Sequence, residues 1–132
     1  MSLLIRFSLA CVLLTLVSCK KEEGTGGSST ISGTVEVTSV SEVSGVEIEK
    51  YSAKGKRVYI LYGDDEIQSD DIRTNYDGKF EFPFLKKGDY KIYVFSDCSC
   101  PGGEEAVFKT VTITDKNQTV YTGDISIVKF VD

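Results

Sequence analysis

The fold of this chain is decided by one stretch, Thr74-Asn75-Tyr76-Asp77-Gly78-Lys79-Phe80-Glu81-Phe82. Its centre, Asp77-Gly78, is a dipeptide that favours tight turns between antiparallel strands, because the central positions of such a turn require a positive φ. Apolar residues alternate with polar ones after the turn, which is the pattern of a strand with one buried face. We therefore expect a β-hairpin here, formed by residues 72–75 and 79–82.

Three phenylalanines extend this pattern. Phe80, Phe82 and Phe84 share one parity, so a regular strand would direct all three rings to one side. Pro83 lies within the run and cannot donate a backbone hydrogen bond, which indicates an edge strand or the end of the strand. We expect Phe80 and Phe82 to fill the core between two sheets.

The chain shows strand patterns throughout after residue 30, and no segment of helical length has an apolar stripe of helical period. Residues 57–62 form a short β-branched and aromatic run, typical of a strand buried on both faces. Residues 43–51 are ambiguous and favour a strand or an extended loop. About seven short strands predict an all-β fold, a single antiparallel β-sandwich over residues 31–132. The other predicted strands cover residues 31–38, 90–95, 110–114, and 119–121 with 125–128.

The order of these motifs resembles a known family. Gly33-Thr34-Val35, Val58-Tyr59-Ile60, the hairpin stretch and Lys87-Gly88-Asp89-Tyr90-Lys91-Ile92 follow one another as in carboxypeptidase-regulatory-like, or transthyretin-like, domains. Asn75 departs from the aspartate that this family often has, without affecting the fold. The resemblance implies a Greek-key, prealbumin-like sandwich. It also implies a non-enzymatic module that acts as a spacer or binding accessory.

The amino terminus has the form of a bacterial lipoprotein signal peptide. Arg6 precedes an apolar segment, residues 7–17, that is shorter than the roughly 20 residues of a membrane-spanning helix. Leu16-Val17-Ser18-Cys19 closes this segment and resembles the lipobox of bacterial lipoproteins. We expect residues 1–18 to be removed and Cys19 to be acylated, since two acyl chains suffice for stable anchoring. The alternatives are an ordinary secretory peptide with an incidental Cys19, or a buried core helix.

The residues after Cys19 predict a cellular location and a flexible tether. Cys19-Lys20-Lys21-Glu22-Glu23 resembles the surface-export signal of Bacteroidota lipoproteins, which implies the outer membrane with the protein facing the medium. The alternative is a charged stretch that only keeps the tether soluble. Because residues 24–30 are rich in Gly and Ser, we expect residues 19–30 to form a lipidated, disordered tether. The first expected partner is therefore the membrane, reached through Cys19.

Composition argues against several function classes. The chain has no histidine, which removes His-dependent catalytic triads and His-ligated zinc. The net charge is −5, and loss of Arg6 with the signal peptide makes it about −6, so nucleic acid is not an expected partner. Pairs of carboxylates, which a glycosidase would need, are unavoidable among 20 acidic residues and carry little information. We expect no catalytic residue, no cofactor and no metal site.

Two local features leave other chemistry open. Asp64-Asp65-Glu66 and Asp70-Asp71 lie in one loop, where dense carboxylates suit Ca²⁺, but the spacing is not that of an EF-hand, and a solvated acidic loop is the simpler interpretation. Cys98 and Cys100 would be the two thiols left after processing. Thiols outside the inner membrane tend to oxidise, so we expect a disulfide that staples the loop. A redox-active bridge, a metal site, intermolecular pairing and free thiols are the alternatives.

The function classes that remain concern binding. Tyr51, Tyr62 and Tyr76 lie at predicted strand ends or loops, where rings could stack on sugars, although packing is the simpler role for most of the seven tyrosines. We expect a non-enzymatic structural or binding accessory within a larger cell-surface system, with a surface protein complex or a glycan as a further partner. A glycan- or peptide-binding module in its own right is the alternative. A redox or metal-handling protein that uses Cys98 and Cys100 is a third.

Overall fold

A computed structural model describes residues 23–132 of the chain. The regular structure of this part consists of eight β-strands, without a helix. The predicted signal peptide, Cys19 and residues 20–22 lie outside the described residues, so the signal and the anchor stay predictions. Within residues 23–132 no helix is long and apolar enough to cross a membrane. The strands are β1 (Thr25–Ser41), β2 (Glu47–Ser52), β3 (Arg57–Tyr62), β4 (Asp70–Arg73), β5 (Lys79–Leu85), β6 (Gly88–Asp97), β7 (Glu104–Ile113) and β8 (Thr119–Val131).

The strands form two four-stranded sheets. In the first, which we call sheet A, the long strand β1 is central: β8 pairs along one side of it, and β5 and β2 pair one after the other along the opposite side. In the second, sheet B, the strand order is β4-β3-β6-β7, and every pair is antiparallel. The two sheets pack face to face, which confirms the predicted β-sandwich.

One pair of strands departs from the antiparallel expectation. β8 runs parallel to β1, with Ile31 opposite Val120 and Ser41 opposite Val131. A parallel pair needs a long crossover between its strands, and here the crossover is the rest of the sandwich, so local sequence patterns gave no sign of it. The eighth strand is β2, which the ambiguous residues 43–51 supply from Glu47 onward.

The core lies between the inner faces of the two sheets. Residues at alternate positions of β3 and β6 point inward and are fully buried, namely Val58, Ile60, Tyr90, Ile92 and Val94. β1, β5 and β8 supply the opposite wall, in which Phe80 and Phe82 are buried as predicted. Each such side chain contributes roughly 1.5–3 kcal/mol through burial. The inner faces therefore account for the stability of the sandwich.

The hairpin expected at Asp77-Gly78 is wrong, because the strands on either side of the turn belong to different sheets. β4 pairs with β3 in sheet B, whereas β5 pairs with β1 in sheet A. The turn itself forms: Gly78 has a φ of 74°, and the Asn75 side chain accepts hydrogen bonds from the backbone N–H groups of Asp77 and Lys79. The tight turn thus carries the chain from sheet B to sheet A.

The common parity of the three phenylalanines also ends earlier than expected. Phe80 and Phe82 are buried, but Phe84 is 70% exposed. Its φ of 59° is a left-handed conformation that breaks the alternation, so that Leu85 takes the next inward position. Within the described residues β5 pairs with β1 alone, which confirms that Pro83 lies on an edge strand.

The glycine-rich segment predicted to be disordered is folded instead. β1 begins at Thr25, and both Thr25 and Ser29 pair with Leu85 around an irregularity in the ladder. Gly24 is buried, and its N–H donates a hydrogen bond of 2.9 Å to the Tyr90 hydroxyl. The low apolar content favoured a coil, but backbone hydrogen bonds and the hydroxyl groups of Ser28 and Ser29 hold this segment. The sandwich therefore begins near residue 23 rather than at Ile31.

Candidate binding surface

Four aromatic side chains lie on the outer face of sheet B, and we call them the aromatic face: Tyr59, Tyr93, Phe95 and Phe108. Side chains alternate along a strand, so these residues point away from the core that their neighbours line. Tyr59 lies directly opposite Tyr93, and Tyr93 lies directly opposite Phe108. The rings therefore form a row across β3, β6 and β7, and Phe95 adds a second position on β6.

The rings of the aromatic face contact one another. Tyr59 and Tyr93 stack with centroids 4.9 Å apart and 14° between their planes. Phe95 packs edge-on against both, at 5.6 and 5.7 Å, and Phe108 is tilted against Tyr93 at 5.1 Å. Such pairs contribute about 0.5–1.5 kcal/mol each beyond area burial, so the cluster holds its own shape. Phe108 remains 54% exposed and is the most open of the four rings.

The two tyrosines present polar edges to the solvent. Because the two rings stack on each other, the ring face that each turns to the other is covered and is not open to a ligand. The Tyr93 hydroxyl donates a hydrogen bond of 3.4 Å to Gln68 Oε1. Partial burial raises the pKa of Tyr93 above its ordinary value of 10.0, and the neighbouring Tyr59 adds to this effect. The hydroxyl is therefore protonated, and able to donate, over the physiological pH range.

Charged groups border the aromatic face on its β4 side. Asp71 lies opposite Tyr59 in the ladder, and its carboxylate is 3.5 Å from Nε of Arg57. A depression of about 340 Å³ opens beside these groups, and the rings of Tyr59 and Phe95 line part of it. A ligand on this surface would meet aromatic rings and hydrogen-bonding groups together.

The two cysteines lie at the tip of the β6–β7 hairpin, close to this surface. Cys98 and Cys100 are joined as a disulfide, with 5.2 Å between their Cα atoms. The Cys98 N–H donates to the Gly103 carbonyl, and the Gly103 N–H donates to the Cys100 carbonyl. These contacts close the tip of the hairpin that carries Phe95 and Phe108.

Glu105 approaches the two sulfur atoms, and these three residues form the one group of possible metal ligands found within residues 23–132. A metal ion requires thiolates, which a disulfide does not offer. Three ligands also fall short of the four that structural zinc sites use. The structure pairs the two sulfur atoms with each other, while the loop staple, a redox role and a metal site all stay predictions.

The tyrosines singled out from the sequence do not come together in one site. Tyr62 packs edge-on against Tyr90 at 5.8 Å, beside the core. Tyr51 lies on β2 in sheet A. Tyr76 lies in the turn after β4, where the Lys54 ammonium is 3.9 Å from its ring centroid. These three residues occupy separate parts of the molecule and do not form a common binding surface.

The carboxylates of the acidic loop serve local contacts. Asp65 accepts a hydrogen bond from the Ser69 hydroxyl, Asp70 accepts one from the backbone N–H of Asp71, and Asp71 faces Arg57. In the part of the chain that the structure describes, they form no group of three ligands close enough to hold an ion. Asp70 and Asp71 lie in β4 rather than in the predicted loop, and whether these carboxylates bind Ca²⁺ stays untested.

Sequence reasoning missed the aromatic face, although a signal for it was present. In β6, Tyr93 and Phe95 have the opposite parity to Ile92 and Val94, so the strand is apolar on both sides. The similar pattern in residues 57–62 was interpreted as burial on both faces. That prediction holds for Leu61, which is buried on the outer side of β3, but not for Tyr59, which is only half-buried there.

Comparisons with known proteins show similar structures but no family. No protein-family model and no curated protein sequence matches this chain. Similar solved structures include a proposed carbohydrate binding protein from Pseudomonas aeruginosa, at 15% identity and a TM-score of 0.47, covering 81% of this chain and 92% of that one. A DUF3823 family protein from Bacteroides uniformis shows 21% identity and a TM-score of 0.44, covering 76% of this chain and 43% of that one.

A third similar structure is (S)-allantoin synthase, at 16% identity and a TM-score of 0.44, covering 77% of this chain and 42% of that one. The present chain thus spans less than half the length of the latter two proteins. Similarity at this level assigns neither a family nor a ligand to this chain.

Proposed function

We propose that this protein is a lipid-anchored, non-enzymatic binding accessory of the bacterial cell surface, and that it binds carbohydrate on the aromatic face. The anchor is Cys19, and the location is the outer membrane, with the sandwich facing the medium. The observation that carries the binding function is the row of Tyr59, Tyr93 and Phe108, which is left partly exposed on the outside of a sandwich whose core is complete.

The mixture of groups on this face suits a sugar. One side of a sugar ring consists largely of C–H groups, which pack on aromatic rings, and its edge carries hydroxyl groups. Phe108 supplies open ring surface, while the Tyr93 hydroxyl and the side chain of Gln68 supply hydrogen-bonding groups. Exposed apolar surface rimmed by polar residues is typical of interaction sites in general.

The folded start of the chain changes how the module would be held at the membrane. Gly24 is fixed by the Tyr90 hydroxyl, and its carbonyl accepts a hydrogen bond of 2.8 Å from the Lys86 N–H. Only residues 20–22 separate Glu23 from Cys19, and the connection spans at most about 14 Å. An acylated Cys19 would therefore hold the sandwich near the lipid headgroups, with less freedom than a tether up to residue 30 would give.

Carbohydrate binding is tested with a matched pair of ring deletions. The mature protein is screened on an array of bacterial, plant and animal oligosaccharides, and the best ligand is titrated by calorimetry. We expect Phe108→Ala to weaken binding about tenfold or more, because it removes the most open ring. Phe84→Ala is the control, since it removes an even more exposed ring, 70% against 54%, from the edge of sheet A.

Unchanged affinity in Phe108→Ala, or equal losses in both variants, would contradict this assignment. If no glycan binds and a co-purifying protein is lost on Phe108→Ala instead, the aromatic face docks a protein partner.

The lipid anchor and the surface location are tested on intact cells. We expect Cys19→Ala to abolish acylation, measured by incorporation of labelled fatty acid, and external protease to digest the wild-type protein. Replacing Lys21, Glu22 and Glu23 with alanine should protect the protein from the protease, because the export signal is lost. Digestion at the wild-type rate in that variant would rule out the export signal without affecting the anchor.

A further inference from the structure

Several positively charged side chains line the depression beside the aromatic face. Lys56, Arg57 and Arg73 line it, and Glu104 is the one carboxylate among its lining residues. The chain as a whole has a net charge of −5, so this concentration of cations is local. The volume of about 340 Å³ lies within the range of small-molecule sites.

The two arginines lie directly opposite each other, on β3 and β4. Like charges at opposed positions destabilise a sheet. Arg57 is compensated by Asp71, 3.5 Å from its Nε. Arg73 has no such acidic partner within residues 23–132, since no carboxylate there lies at ion-pair distance from it. Its guanidinium donates a hydrogen bond of 3.0 Å to the Gly55 carbonyl. A guanidinium has five N–H donors, so Arg73 keeps most of them available.

We infer that this depression binds the carboxylate of an acidic sugar, so that the glycan on the aromatic face is a polyuronate or a similar carboxylated saccharide. The inference rests on the carbohydrate binding proposed above and names its ligand class. A carboxylate would supply the negative charge that Arg73 lacks, and the planar guanidinium can bind it through two parallel hydrogen bonds. The sugar ring that bears it would pack on Phe95 or Tyr59, which line the same depression.

The ligand class is tested with matched acids and esters. The probes are oligogalacturonate, oligomannuronate and hyaluronan oligosaccharides, each compared with its methyl ester, which keeps the sugar backbone but removes the negative charge. We expect the mature protein to bind at least one acid about tenfold more tightly than its ester. The difference should shrink as sodium chloride is added, because salt screens exposed charges.

A pair of charge deletions tests the position of the site. Arg73→Gln should abolish the preference for the acid, because it removes the positive charge that distinguishes the acid from its ester. Lys79→Gln is the control: it removes the same charge from an exposed position on β5 in sheet A, opposite Thr34, and should keep the preference. Both residues are exposed, so both variants should fold.

Each contrary result has a distinct meaning. Equal affinity for all acids and their esters would overturn the acidic ligand while leaving carbohydrate binding intact. Equal losses in Arg73→Gln and Lys79→Gln would overturn the site, because the attraction would then be general. Preference for a heparin fragment over every carboxylated probe that lacks sulfate would overturn the carboxylate in favour of sulfate. Absence of binding to any glycan would overturn this inference and the proposed function together.

Discussion

Strand β6 carries apolar side chains on both sides of sheet B, but the two sides differ in what covers them. On the inner side, Ile92 and Val94 have no exposed surface and belong to the core shared with sheet A. On the outer side, Tyr93 and Phe95 pack against neighbouring rings and stay partly exposed. Apolar side chains stabilise a fold in proportion to the surface that they lose to water. Apolar side chains of one strand therefore stabilise the core on one face and remain partly exposed on the other.

The largest effect should come from the inner face. Ile92→Ala leaves a cavity in the core, and such substitutions cost about 2–5 kcal/mol. We expect the melting temperature to fall by roughly 10 °C or more, measured by circular dichroism. A loss below about 1 kcal/mol would mean that the inner face is not closely packed. The two faces of sheet B would then not differ in their contribution to stability.

A second effect concerns the polar end of an inner-face ring. The Tyr90 hydroxyl accepts the Gly24 N–H and donates to the Lys86 carbonyl at 2.7 Å. Tyr90→Phe should cost about 1–2 kcal/mol, because it leaves the buried Gly24 N–H without this acceptor. Hydrogen exchange at the amides of Gly24 and Lys86 should accelerate with it. The control is Tyr121→Phe, which removes an exposed hydroxyl that contacts Thr34 and should change stability by less than about 0.5 kcal/mol.

Alkaline pH should lower the stability of the fold through the same buried tyrosine. Burial raises the pKa of Tyr90 above 10.0, although hydrogen bonds to the backbone oppose this, and burial likewise raises the pKa of Tyr62. Above about pH 10 the unfolded chain therefore loses protons that the folded chain retains, and stability falls as pH rises further. We expect the melting temperature to be level below about pH 9 and to drop beyond pH 10, with a smaller drop in Tyr90→Phe. An identical pH profile in the variant would exclude Tyr90 as a source.

Sequence patterns predicted an all-β fold because the alternation of apolar and polar residues shows which segments are strands with one buried face. Phe80 and Phe82 indicated a one-sided strand, and the turn at Asp77-Gly78 formed. What they could not predict was the partner of each strand. The turn leads from sheet B to sheet A, and β8 pairs in parallel with β1, a strand that lies far from it in the chain. Pairings of this kind depend on tertiary contacts rather than on local sequence.

The aromatic face was less predictable for a related physical reason. Tyr59 and Phe108 lie on strands that are far apart in sequence, and they meet Tyr93 only because β6 pairs with both β3 and β7. The arginines of the depression likewise become neighbours only through the pairing of β3 with β4. A linear pattern shows that a strand has two apolar sides, but not which side a second sheet covers.

The disulfide should contribute less to stability than the core contacts. Cys98 and Cys100 are separated by one residue, and bridges that close such short loops gain at most about 1.5 kcal/mol from chain entropy. We expect reduction to raise the intact mass by about 2 Da and to lower the melting temperature by a few degrees. An unchanged mass would mean that the thiols are free, and a loss as large as that of Ile92→Ala would mean that the hairpin tip supports the core.

The smallest effect on stability should come from the outer face of sheet B. This prediction tests whether the outer and inner faces differ in what their side chains contribute. Phe108→Ala removes a ring that is 54% exposed and touches Tyr93 at 5.1 Å, so it should cost less than about 1 kcal/mol. The expected result is a variant that melts within a few degrees of the wild type and yet binds its glycan about tenfold less tightly. Denaturation and titration of the same sample measure both quantities. If the variant instead lost as much stability as Ile92→Ala, the outer rings would be part of the core, and their exposure would no longer point to a ligand.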